Sequence, residues 1–124
     1  MRPMMPLISP TRLYLYTEAT DMRKAFDGLS GLSSANLGRD PLDGSMYVFL
    51  NKRRNRMKCL VWDRDGFWLF YKRLERGTFQ TPVNPSGQAG IDLSYEQLML
   101  ILQGIDLGSI RHRPRYSRLN SATG

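Results

Sequence analysis

The chain has 124 residues and a formal net charge of +7, so it is long enough for one packed domain and too short for two. Its 41% hydrophobic and 23% charged residues are typical of a globular protein, while one cysteine and one histidine exclude a disulfide framework and a Cys/His zinc site. No apolar run reaches membrane-spanning length, and the proline-broken residues 1–9 are too short for a signal peptide, so we expect a soluble cytoplasmic protein.

The first two predicted elements are a strand and a helix. Residues 12–16 alternate in character and are rich in tyrosine, which is typical of a strand. Thr20 or Asp21 is suited to cap a helix that continues to about Asn36, in which apolar residues recur at helical spacing. The turn-rich residues 40–44 then separate this helix from the next strand.

Three β-rich runs follow, at residues 46–50, 57–62 and 67–74, and residues 63–66 form a tight turn between the last two. With Arg64 as the first of two loop residues in that turn, the last two runs pair as an antiparallel hairpin. The more apolar face of this hairpin, which we expect to pack on the helices, holds the pairs Val61/Trp68, Cys59/Phe70 and Met57/Lys72. A slip of one residue in register would exchange the two faces.

A loop and a short helix complete the predicted elements. Residues 77–90 are rich in Gly, Pro, Ser and Asn, a composition that predicts a loop. Ser94 and Gln97 form a capping box for a helix that stops at Gly104. From Gly108 onward the sequence has no periodicity.

These elements predict an α+β fold: an antiparallel β-sheet of three to five strands with two helices packed on one face. They form a single domain, residues 1–107. Residues 108–124 are predicted to be a disordered basic tail.

Positive charge is concentrated in residues 49–76, where nine basic and three acidic residues leave +6 of the total +7. Basic residues interleaved with aromatic rings suit a polyanion with flat bases, so this stretch favours a nucleic-acid partner. The residues expected to contact it are Lys52, Arg53, Arg54, Arg56, Lys58, Lys72, Arg73 and Arg76. The alternative is a solvated hairpin whose charges protect a sheet edge from aggregation; in either case we expect about two of the rings of Trp62, Trp68 and Phe70 to be core.

No arrangement of residues predicts catalysis or a metal site. Asp63 and Asp65 lie in the predicted hairpin turn, where aspartate is favoured by its own backbone hydrogen bonds. No Ser/His/Asp set and no phosphate-binding loop is evident, and His112 lies in the predicted tail. We therefore expect a non-catalytic protein with no cofactor and no metal.

Three long motifs follow one another along the chain. They are Thr20–Leu29 (TDMRKAFDGL), Asp40–Asp63 (DPLDGSMYVFLNKRRNRMKCLVWD) and Gly66–Phe79 (GFWLFYKRLERGTF). In this order they resemble the TnpB accessory proteins of the insertion sequence 66 family. The likeness spans about Ile8 to Leu107 and excludes the arginine-rich tail.

The resemblance implies an accessory protein, encoded in a bacterial insertion sequence beside a separate, larger transposase and required for efficient transposition. The name TnpB is shared with an RNA-guided nuclease of other elements, but this chain is far too short for that enzyme and shows none of its acidic catalytic residues. The expected partners are element-end DNA, bound through the basic hairpin, together with the transposase and the other element-encoded accessory protein. The alternative is a protein-interaction module that assembles the transposase without contacting DNA, with Asp21, Arg23 and Lys24 on its partner surface.

Overall fold

The computed structural model describes residues 8–84 and 86–104. The tail predicted at residues 108–124 lies outside this part of the chain. The elements are, in order, β1 (Leu13–Tyr16), α1 (Phe26–Ala35), β2 (Met46–Leu50), β3 (Arg56–Asp63), β4 (Gly66–Arg73), β5 (Gly90–Leu93) and α2 (Tyr95–Gln103).

The five strands form one sheet in the order β4-β3-β2-β1-β5. β1 and β2 are parallel, and every other neighbouring pair is antiparallel. The α+β prediction, with five strands and two helices, is confirmed. The sheet is mixed rather than purely antiparallel because α1 carries the chain from the end of β1 back to the start of β2, as a parallel pair requires.

The helices cover opposite faces of the sheet, whereas the sequence pattern placed both on one face. On one side α2 packs Leu98 and Ile101 against alternate residues of the central strands, such as Leu13 and Val48. On the other side α1 packs Leu29 against the intervening residues, which are Tyr14, Tyr16, Tyr47, Phe49 and Leu60. Because the central strands are apolar on both sides, each face has to be covered by its own helix.

The two helices begin in different ways. α2 has the predicted capping box, in which Ser94 Oγ accepts from the Gln97 N–H at 3.0 Å and Gln97 Oε1 accepts from the Ser94 N–H at 2.9 Å. α1 begins only at Phe26, after Ala25 and without a side-chain cap. The predicted start at Thr20 or Asp21 is therefore wrong: the Thr20 N–H donates to Leu50 O, which holds this segment against the end of β2 instead.

The predicted register of the β3–β4 hairpin is confirmed, with Trp62 opposite Phe67 and Arg56 opposite Arg73. One consequence that we expected from this register does not hold. Trp68 lies on the predicted core face but is 44% exposed, because β4 is an edge strand and the apolar cluster under α2 does not include this ring.

Candidate nucleic-acid interface

The turn that joins β2 to β3, residues 51–55, is held by its own polar groups. Asn51 Oδ1 accepts from the N–H groups of Asn55 and Arg56 at 3.0 and 2.9 Å, and Asn51 Nδ2 donates to Asn55 Oδ1 at 2.7 Å. The backbone then continues through Arg54 at φ 57°, in the left-handed region. The Phe79 N–H, on a buried residue, donates to Arg54 O at 2.7 Å and anchors the turn from outside.

Basic side chains of this turn and of the first residue of β3 reach the surface. Lys52, Arg53 and Arg54 are exposed and Arg56 is half-buried. Within residues 8–84 and 86–104 none of the four forms a salt bridge. Arg54 is oriented by a neutral contact, a hydrogen bond of 3.1 Å from Nη1 to Thr81 Oγ1. A hydrogen-bonded backbone therefore presents cations that no carboxylate of the described residues neutralises, which is the arrangement that phosphate binding needs.

The end of β4 adds further cations beside this turn. Arg73 is exposed, lies directly across the hairpin from Arg56 and forms a surface salt bridge of 2.9 Å with Glu75. Lys72 and Arg76 are also exposed. A surface salt bridge of this kind contributes little to stability, so the Arg73 guanidinium can exchange its partner.

Lys58, which we predicted to contact nucleic acid, lies instead inside the protein. Its side chain is only 6% exposed, and Nζ donates to the carbonyl oxygens of Met22 and Lys24, both at 2.7 Å. Nζ also lies 4.7 Å from the centre of the Tyr71 ring. A buried ammonium group needs such compensation. Lys58 lies on the same face of β3 as Leu60, which α1 covers. The segment before α1 accepts its hydrogen bonds, so the geometry assigns Lys58 to the fold.

The segment of residues 20–24, which carries the predicted partner residues, lies against the β2–β3 turn. Asp21, Arg23 and Lys24 are exposed, and one shallow depression is lined by residues of both segments, including Asp21, Arg23, Lys52, Arg53 and Arg56. The pKa of Asp21 is lowered to about 2, chiefly by hydrogen bonds from the Arg23 side chain, with N···O distances of 2.7–3.1 Å. Two sets of residues that the sequence analysis kept apart therefore share one surface.

We call this surface the basic end of the sheet. It lies where β1, β2 and β4 finish. Its residues are Arg23, Lys24, Lys52, Arg53, Arg54, Arg56, Lys72, Arg73 and Arg76, with Asp21 and Glu75 as the acidic groups paired within it.

Sequence reasoning missed a second depression, of about 390 Å³, which Lys52 also lines. Its walls include Glu18 and Arg54 and the loop residues 81–84. No pattern in the sequence places that loop here, because its position depends on contacts with Arg54 that are distant along the chain.

Other chemistry is limited in the described residues. Cys59 is buried, and burial raises the pKa of its thiol to about 12, so the reactive thiolate is disfavoured. Within residues 8–84 and 86–104, no group of three or more His, Cys, Asp or Glu side chains is arranged to hold a metal ion. In the same residues, no helix has the length and hydropathy that a membrane span requires.

Comparison with known proteins gives one family and two relatives. A family model described as "IS66 Orf2 like protein" matches residues 11–112. The chain is 32% identical over 111 residues to "Uncharacterized protein y4jC" of Sinorhizobium fredii (strain NBRC 101917 / NGR234), covering 87% of this chain and 93% of that protein. It is 38% identical over 104 residues to "Uncharacterized protein y4hO" of the same organism, covering 83% and 88%. No solved structure gives a significant match.

Proposed function

The chain belongs to the IS66 Orf2-like family, and from that premise we propose that it is a non-catalytic accessory protein for the transposition of a bacterial insertion sequence. The family supports the process, transposition, and agrees with the resemblance of the three sequence motifs. The proposed molecular role is to bind element DNA, or the transposase–DNA complex, through the basic end. The protein would act in the bacterial cytoplasm, where that DNA is found.

One observation carries the DNA-binding proposal: the β2–β3 turn and the first residue of β3 present Lys52, Arg53, Arg54 and Arg56 without a carboxylate partner in the described residues. The turn backbone is held by hydrogen bonds that Asn51 Oδ1 accepts and by one that the Phe79 N–H donates. Because the backbone of the turn is already ordered, binding through it costs conformational entropy in the side chains and little in the backbone. Lys58 is left out of the proposed interface because its side chain is buried and its ammonium group is already hydrogen-bonded within the protein.

A second candidate function is supported by the Asp21–Arg23 pair. These side chains are exposed and their charges neutralise each other at 2.7 Å, so this part of the basic end has less to offer a polyanion than the turn beside it. A surface with both signs of charge suits a protein partner. In that proposal the chain assembles the transposase and the other element-encoded accessory protein without contacting DNA directly.

The salt dependence of DNA binding tests the first proposal against the second. About five phosphate contacts on duplex DNA would give a slope of log K against log [salt] of about −4 to −5. Binding of the full chain to an element-end duplex is measured by fluorescence anisotropy across a salt series. A slope near zero, or no binding at low salt, would discard DNA contact and favour the protein-interaction module.

A further inference from the structure

One face of β4 carries two aromatic rings that are not fully buried. Trp68 and Phe70 are two residues apart and therefore project from the same face. Their ring planes are within 5° of parallel, with centroids 6.1 Å apart. Phe70 packs in part against the apolar cluster under α2, whereas Trp68 is 44% exposed. We call this pair the aromatic face.

The exposed ring is held in one orientation. Trp68 Nε1 donates to Asp63 Oδ2 at 3.2 Å, and its indole lies parallel to the Phe70 ring. The other tryptophan, Trp62, is half-buried and packs edge-on against Phe67 at a centroid distance of 5.1 Å. One tryptophan of the hairpin therefore packs within the fold. The other presents an oriented aromatic surface to solvent, and the exposed part of its large apolar area gains nothing from burial.

The aromatic face leads directly to the basic end. Lys72 is the next residue of β4 on this face, and Arg73 and Arg76 follow it along the chain. In a duplex the flat surfaces of each base are covered by neighbouring bases about 3.4 Å away. A base that stacks on the aromatic face while an adjoining phosphate reaches Lys72 must therefore be unstacked from a neighbour. Paired duplex also hides the flat surfaces of its bases from such a ring.

We propose that the aromatic face binds unpaired bases of single-stranded DNA by stacking, while the basic end holds the adjoining phosphates. Every base offers a flat surface, so this contact selects for strandedness and tolerates different sequences. The inference rests on the proposed DNA-binding function and adds a preference for single-stranded or locally opened DNA over duplex.

Two tryptophans in the whole chain allow a direct measurement. Trp62→Phe leaves Trp68 as the single fluorescent indole, and the probes are a 12-nucleotide oligothymidine and a 12-base-pair duplex. Trp68 emission is expected to fall on addition of oligothymidine, because stacking quenches it, and to change little with duplex. The reciprocal Trp68→Phe variant, which reports from Trp62, should show little quenching with either probe.

Affinity provides the second readout. Trp68→Ala should weaken oligothymidine binding by about 5- to 150-fold and leave duplex binding within about twofold. Phe26→Ala is the matched control, since Phe26 is 45% exposed on α1, across the sheet from the aromatic face, and it should change neither affinity. The quenching measurement uses a chain with Trp68 intact, so it tests base stacking even if Trp68→Ala folds poorly.

The outcomes separate the two proposals. Salt-dependent binding with equal quenching by both probes, or without any quenching of Trp68, overturns base stacking and leaves the proposed function standing. Absence of salt-dependent binding to either probe removes the proposed DNA-binding function and the stacking with it. Self-association that Trp68→Ala abolishes, with no quenching by oligothymidine, would assign the aromatic face to a second copy of the chain and overturn the inference.

Discussion

Lys52 and Lys58 lie six residues apart in the same basic stretch, yet the fold gives them different surroundings. Lys52 is exposed in the β2–β3 turn. Lys58 is 6% exposed on β3, where Nζ satisfies the carbonyl oxygens of Met22 and Lys24. Residue type alone therefore does not identify the cations that are available to a partner.

Replacing each lysine by methionine separates the two roles, because methionine keeps most of the apolar stem. Lys58→Met should lower the free energy of unfolding by about 1–3 kcal/mol, since two part-buried carbonyl groups lose their donor, and leave DNA affinity unchanged for the folded protein. Lys52→Met should change stability by no more than about 0.5 kcal/mol and weaken DNA binding. Urea denaturation and anisotropy titration measure the two effects. The reverse pattern would contradict the assignment of Lys58 to the fold.

Arg54 and Arg64 share an unusual backbone conformation, with φ of 57° and 60°. Non-glycine residues adopt this left-handed region at a cost. Alanine at either position would therefore mix a loss of charge with backbone strain. Glycine removes the side chain without that strain, so it is the appropriate replacement at both turns.

At the scale of elements, the two helices differ in how the free N–H groups of their first turns are capped. Ser94 and Gln97 cap α2 reciprocally, and Gly104 ends the helix at φ 84°. α1 has no side-chain cap, so its position depends on tertiary contacts such as that of Leu29 with the sheet. Local sequence is therefore more decisive for α2 than for α1.

Ser94→Ala tests the contribution of the α2 cap. Removing the acceptor for the Gln97 N–H should lower the free energy of unfolding by about 1 kcal/mol. Ser34→Ala is the control, because Ser34 lies inside α1, is exposed and donates to Ser30 O within the same helix. Its effect should stay within about 0.5 kcal/mol. Equal losses in urea denaturation for the two variants would argue against the capping box as a source of stability.

At the scale of the whole molecule, the location of charge matters as much as its sum. The basic end draws its cations from three segments, residues 23–24, 52–56 and 72–76. Arg12 and Arg64 lie at the opposite end of the sheet, at the start of β1 and in the β3–β4 turn. Removing Arg53 and Arg54 therefore changes the net charge as much as removing Arg12 and Arg64, but at the opposite end of the sheet.

The variant Arg53→Ala/Arg54→Gly should fold normally and reduce the steepness of the DNA salt slope by up to about two units, since each lost phosphate contact removes about 0.9. Transposition of the element should fall with it. Arg12→Ala/Arg64→Gly removes the same charge from the opposite end and should leave both the slope and transposition close to those of the native chain. If the two variants weaken DNA binding equally, net charge rather than the basic end is responsible. If Arg53→Ala/Arg54→Gly melts the domain, the turn is structural.

The sequence by itself determined the features that depend on nearby residues. Register of the β3–β4 hairpin follows from its two-residue turn, and the Ser94 capping box is complete within four residues. The three motifs were enough to indicate the family. The concentration of positive charge in residues 49–76 is likewise evident from the sequence alone.

Only the tertiary structure decided which of those charges are accessible and what lies beside them. The crossover through α1 makes β1 and β2 parallel, and apolar residues on both sides of the central strands require a helix on each face. The same packing buries Lys58, brings residues 20–24 against the β2–β3 turn and leaves Trp68 exposed on the edge strand. Each of these outcomes depends on contacts between residues far apart in the chain, which local propensity and periodicity do not encode.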